Sequence, residues 1–202
     1  MAYLSKVATS LLGACALLFM LSVPGFAATH TPTTMATYHT PKHASWKIKE
    51  GAFLCILTAA NRIVLASYPQ AQFYEAQGTP QNGRGIVAQD VNQWLFVFNN
   101  PATIPNSTIK LPFQDDHFGE IEYIQGPFVE DQVINLPLPT GLDEAITLLR
   151  QHYDTPFSTV TVRFPLAREK TEPYYIFGLP DVRLWVFVGI YSHNVTTAAM
   201  TA

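Results

Sequence analysis

Cysteine is nearly missing from this chain. Of the two present, Cys15 falls in an apolar N-terminal run and only Cys55 lies beyond it. Once that run is removed no intrachain disulfide is possible, so stability has to come from a packed core. Basic residues are scarce too. No Lys or Arg occurs between Leu111 and Leu149, and there is no basic patch of the kind that binds nucleic acid. The familiar catalytic signatures are absent: Gly-x-Ser-x-Gly, His-Glu-x-x-His, the phosphate-binding loop and Cys-x-x-Cys. Chemistry that depends on those local motifs is excluded. A site assembled from distant residues is not, but the first expectation is a protein that binds rather than catalyses.

What is present begins with a leader. Lys6, the apolar run Val7–Val23 and then Pro24-Gly25-Phe26-Ala27-Ala28 have the form of a secretory signal peptide, with cleavage expected after Ala27. Two other readings share these residues. An uncleaved membrane anchor needs roughly 20 apolar residues, slightly more than the run supplies. A lipoprotein is suggested by Leu12-Gly13-Ala14-Cys15, yet the chain stays apolar well past Cys15. The expected location is therefore periplasmic or secreted, with membrane contact only through the leader if it stays on. Residues 28–46, rich in Thr, Pro and His, read as a flexible linker. Without Lys6 the remainder holds 11 Lys+Arg against 15 Asp+Glu, a net charge of −4.

From Ile48 the pattern becomes periodic. Ile48, Ala52, Phe53, Ile56, Ala60 and Ile63 recur at helical spacing, which predicts an amphipathic helix from about Lys47 to Ser67, stopped by Pro69. "AQFYEAQG" predicts a strand, Asn82-Gly83 a turn, and "NQWLFVFNN" a strand apolar on both faces. The same order returns later. Thr140-Gly141-Leu142-Asp143 has the pattern of a capping box, and Leu142, Ala145, Ile146 and Leu149 form a helical face. "STVTVRFPL", "YYIFGL" and "VRLWVFVGI" predict strands. Trp-x-Phe-Val occurs in both halves, at Trp94 and Trp185. The predicted class is α+β: two helix-plus-antiparallel-sheet units at 47–110 and 140–193, an acidic connecting segment at 111–139 and a tail at 194–202.

"AANRIVLASYPQAQFYEAQG" followed by "WLFVFNN" resembles the PepSY-like domain of exported bacterial proteins. "LDEAITLLRQHYDTPFSTVTVRFPL", "PYYIF" and "WVFVG" resemble it again. The Gly-x-Val that usually ends such a meander is not evident after Phe98. A tandem pair of this kind is also similar in architecture to the β-lactamase inhibitory proteins. Both resemblances imply binding or inhibition through a protein surface.

The candidate contacts follow from charge. "QDDHFGEIEYIQG" sets Asp115, Asp116, Glu120 and Glu122 with His117 in eight residues. An acidic face suits a basic partner; the same oxygens could hold a hard cation such as Ca²⁺, though the spacing fits no recognised calcium loop. A solvated edge strand guarded by charge is the plainer alternative. The partner-binding set is Asp115, Asp116, Glu120, Glu122, Tyr174 and Tyr175, the tyrosines because they offer contact area at low entropic cost. The metal candidates are His30, third in the mature chain, with Asp115, Asp116 and His117. No cofactor is expected. Cys55 is expected in the core, as are Trp94 and Trp185. The expected function is an exported, non-enzymatic binding or inhibitory protein whose partner is another envelope or secreted protein. The alternative is a metal-binding or hydrolytic protein using the Asp115–Glu120 cluster.

Overall fold

The computed structural model describes residues 53–129 and 131–201. The leader, the linker, His30 and the Lys47–Ala52 start of the first predicted helix lie outside the described residues.

Helix α1, Phe53–Ser67, buries Phe53, Ile56, Leu57, Ala60 and Val64, an apolar stripe at the i, i+3, i+4, i+7 spacing. Helix α2, Leu142–Arg150, buries Leu142, Ala145, Ile146 and Leu149 in the same way. The strands are β1 (Gln72–Pro80), β2 (Val91–Asn100), β3 (Ser107–Gln114), β4 (His117–Phe118), β5 (Glu122–Gln125), β6 (Thr159–Arg163), β7 (Tyr174–Leu179), β8 (Leu184–Gly189) and β9 (Val195–Ala199). All join one antiparallel sheet in the order β4-β3-β2-β1-β6-β7-β8-β9, with β5 also on β3. The α+β expectation holds, and the two halves share the sheet. In the first half the helix is followed by five strands and in the second by four, and the first strands of each, β1 and β6, pair at the centre.

Both helices and the buried side chains between them and the sheet form one core. Trp94, Phe96 and Phe98 of β2 face it beside Tyr175, Phe177 and Leu179 of β7. Phe53 bridges the halves, with ring centroids 4.4 Å from Trp94 and 6.0 Å from Tyr175. The close approach of Trp94 to β1 requires glycine at Gly78, where a Cβ would lie 2.7 Å from the indole.

Several expectations need correction. The two Trp-x-Phe-Val strands are not equivalent: Trp94 is on the second strand outward from the centre in its half, Trp185 on the third. They are also in opposite phase. Trp94 is 3% exposed and faces the helices; Trp185 is 37% exposed, because Val186 and Val188 take the inward positions of β8. One residue of offset turns a whole strand over. Thr140 does not cap α2. Gly141 is the N-cap, while the Thr140 hydroxyl donates to Ile190 O at 2.6 Å and the Tyr175 hydroxyl donates to Thr140 O at 2.8 Å. Cys55 is exposed, since it falls between the buried positions Phe53 and Ile56 of α1. The 111–139 span carries the end of β3 and all of β4 and β5, with Leu111 and Phe113 in the core, and the 194–202 span carries β9.

Candidate functional site

The helices cover one face of the sheet. Antiparallel register puts alternate residues on the opposite, open face, where they fall into rows that differ in charge. One row runs Glu122, Lys110, Val97, Glu75, Arg163, Tyr174. The next runs Pro112, Leu95, Gln77, Thr161, Ile176, Phe187, Thr196. Beyond it lie Gln114, Gln93 and Thr79 in one half, and Thr159, Gly178, Trp185 and Ala198 in the other. All the formal charge sits in the first row. The side chains of the other two rows carry no formal charge and form a band from β3 to β9, about 30 Å long at the usual strand spacing; the Lys170 ammonium lies over its Phe187 ring, 4.1 Å from the centroid. A fully solvated sheet face carries scattered Lys and Glu; this band carries amides, threonines, Leu95, Phe187 and the half-exposed Trp185.

The acidic residues lie at one end of that band. Asp115 and Asp116 are the two central residues of the β3–β4 hairpin, with φ of 51° and 62°. Left-handed backbone at both positions is what a tight primed turn needs, and Asp tolerates it better than most residues. Their place is thus explained by turn geometry. The His117 ring contacts Asp115 O. Glu120 and Glu122 are exposed, and Glu122 pairs with Lys110 in register. Among the described residues no three His, Cys, Asp or Glu side chains converge as a metal site would require. Of the two tyrosines, Tyr174 is on the open face, 8% exposed, with the Lys170 ammonium 4.9 Å from its ring centroid. Tyr175 is wholly buried on the helix side and offers nothing to a partner. Burial pushes its phenol pKa up, and the Glu144 and Asp143 carboxylates add to the shift.

Sequence reasoning missed two features. The first is a buried charge cluster. A β-bulge at Tyr74 shifts the phase of β1 and turns Glu75 to the open face, opposite Arg163. A strap, residues 126–129 and 131–134, crosses above it. Phe128 N donates to Asn99 Oδ1 and Asn99 Nδ2 donates to Phe128 O. Further on, Gln132 N donates to Phe164 O and Ile134 N to Phe73 O. Between those anchors Asp131 drops beneath the surface, where its Oδ1 accepts from Arg163 Nε at 2.8 Å and Nη2 at 2.6 Å. Glu75 is 3% exposed. Burial pushes its carboxyl up to about 7, and the nearby Asp131 carboxyl adds to this. The second is a cleft of about 440 Å³ beside α1, lined among others by Phe53, Trp94, Phe113 and Leu142, with Asn92 and Asp116 as polar lining. The Asn92 Oδ1 is buried without a hydrogen-bond partner.

No helix among the described residues is long and apolar enough to cross a membrane. No protein-family model matches the chain, and no curated protein does either. The PepSY-like outline therefore has no family match behind it. Among solved structures, a crystal structure from Clostridium difficile 630 described as a "putative lipoprotein" is similar, with 11% identity, 70% of this chain and 91% of that chain covered, and a TM-score of 0.48.

Proposed function

We propose that this chain is an exported binding protein that grips a protein partner through the open face of its sheet. The observation that carries the reading is the segregation of charge on that face. Two rows whose own side chains carry no formal charge cross the sheet, while Asp115, Asp116 and Glu122 stand at one end and Lys170 lies over Phe187 toward the other. An apolar and amide centre with a charged rim is the anatomy of a protein interface. The fitting partner has a flat, weakly polar patch flanked by basic residues, whose approach the acidic rim accelerates. Export rests on the leader pattern of residues 1–27.

The test uses residues 28–202 as crosslinking bait against an extracytoplasmic extract. Thr161, half-exposed in the middle of the band, is changed to Glu in a second bait. The wild-type bait is expected to retain a protein that the T161E bait loses at least tenfold, with the thermal midpoint of T161E within a few degrees of wild type. Equal retention by both baits would remove the open face as the binding surface.

The cleft supports a second reading, a site for a small apolar ligand. An orphaned buried acceptor in an aromatic pocket calls for a ligand that donates an N–H or O–H. Titrating the protein with a fluorescent apolar amine is expected to give saturable quenching of Trp94 that weakens several-fold in Asn92→Leu. Non-saturable quenching, or no difference between the two proteins, would rule the site out.

A further inference from the structure

We propose that the strap at residues 126–129 and 131–134 is latched to the β1–β6 seam by one proton shared between Glu75 and Asp131, and that the latch loosens when this proton is lost. Two carboxyls are buried there, and Arg163 is the cation that faces them. Arg163 spends two donors on Asp131 Oδ1. That leaves Asp131 Oδ2 buried with no partner and the Asp131 side chain fully enclosed. The Gln77 amide donates to Glu75 Oε1 at 2.6 Å, so Glu75 has its second oxygen free for the exchange. A proton on Glu75 satisfies Asp131 Oδ2 and brings the cluster to neutrality. Without it, two buried carboxylates share one guanidinium, which is costly.

Among the described residues, the groups around the pair are few. Arg163 faces it from β6 and Asp131 from the strap, while Val97 separates it from Lys110 of β3. Tyr174 lies beyond Arg163 on β7. The Phe128 ring stands edge-on to Tyr74, 6.5 Å between centroids, and seats the strap over the bulge. The folded chain holds the Glu75 proton more tightly than the unfolded chain does. The stabilisation is therefore complete below the ordinary Glu value of 4.5 and is lost as pH rises through about 7.

The experiment follows amide hydrogen exchange of residues 127–129 and 131–134 from pH 5 to 8.5, corrected for the intrinsic pH dependence of exchange. Wild type is compared with Glu75→Gln, whose amide donates to Asp131 Oδ2 at any pH. In wild type, strap opening is expected to rise on the order of a hundredfold across the range; in E75Q it stays low and flat. Asp131→Asn, which keeps an oxygen for Arg163 and gains a donor toward Glu75, flattens the profile too and serves if E75Q does not fold. Infrared spectroscopy of wild type alone adds a direct reading: a buried protonated-carboxyl band at pH 5.5 that disappears by pH 8.5. A flat wild-type exchange profile, an E75Q profile that rises like wild type, or no carboxyl band at pH 5.5 would overturn the proposal.

Discussion

Trp94→Ala lowers stability by roughly 3–5 kcal/mol, the usual cost of emptying a large aromatic site in a packed core. Trp185→Ala, in the same four-residue motif, lowers it by about 1–2 kcal/mol, because a side chain already 37% exposed gives back less apolar area. Trp94 lies on Gly78, 4.4 Å from Phe53 and 6.2 Å from Phe96, so its removal leaves a void in the helix-facing layer. Trp185 stands over Gly178 on the open face and belongs to the band of uncharged side chains. Urea unfolding of the two variants, with slopes compared to confirm two-state behaviour, separates the roles. Equal losses would mean that Trp185 is core as well. The complementary result is expected in partner capture, which Trp185→Ala weakens and Phe187→Ala weakens further.

That contrast marks where the sequence was legible. Helical spacing located α1 and α2 because each buries a single continuous stripe, and alternation found β6 because its two faces differ: Val160 and Val162 are fully buried while Thr159, Thr161 and Arg163 are half-exposed. The repeated tetrapeptide misled because pattern similarity carries no phase. Nothing local says which face of β8 meets the helices; that is decided by its pairing with β7. The capping box failed for a tertiary reason, since Thr140 is drawn to Ile190 and Tyr175 and is unavailable to the helix. Glu75 was invisible for another. Simple alternation through "QFYEAQG" puts Phe73 and Glu75 on one face, and only the bulge at Tyr74 separates them. The acidic run was seen as charge but not as geometry. Asp115 and Asp116 sit where they do because a tight hairpin needs left-handed residues, and the carboxylate that matters most, Asp131, lies outside the run.

Arg163→Met tests that last statement most severely. It is expected to cost roughly 3–5 kcal/mol at pH 8, the range for breaking a buried ion pair by removing one partner. Asp131, with no exposed side-chain surface, and Glu75, 3% exposed, then have no cation beside them. The cost shrinks toward pH 5, where the Glu75 carboxyl, pushed up to about 7 by burial, carries its proton. The charge is the problem, not the lost packing, because Met fills much of the same volume. Arg163→Met combined with Asp131→Leu should therefore recover most of the stability at pH 8, since the enclosed Asp131 charge is gone and Glu75 keeps the Gln77 amide as a donor. Denaturant midpoints of the single and double variants at both pH values decide the matter. If the double variant is as unstable as the single, the loss comes from the strap's packing over β6, and Asp131 anchors by shape. If it recovers, the pair is retained at the seam for its response to protons, since a hydrophobic replacement would have held the strap equally well.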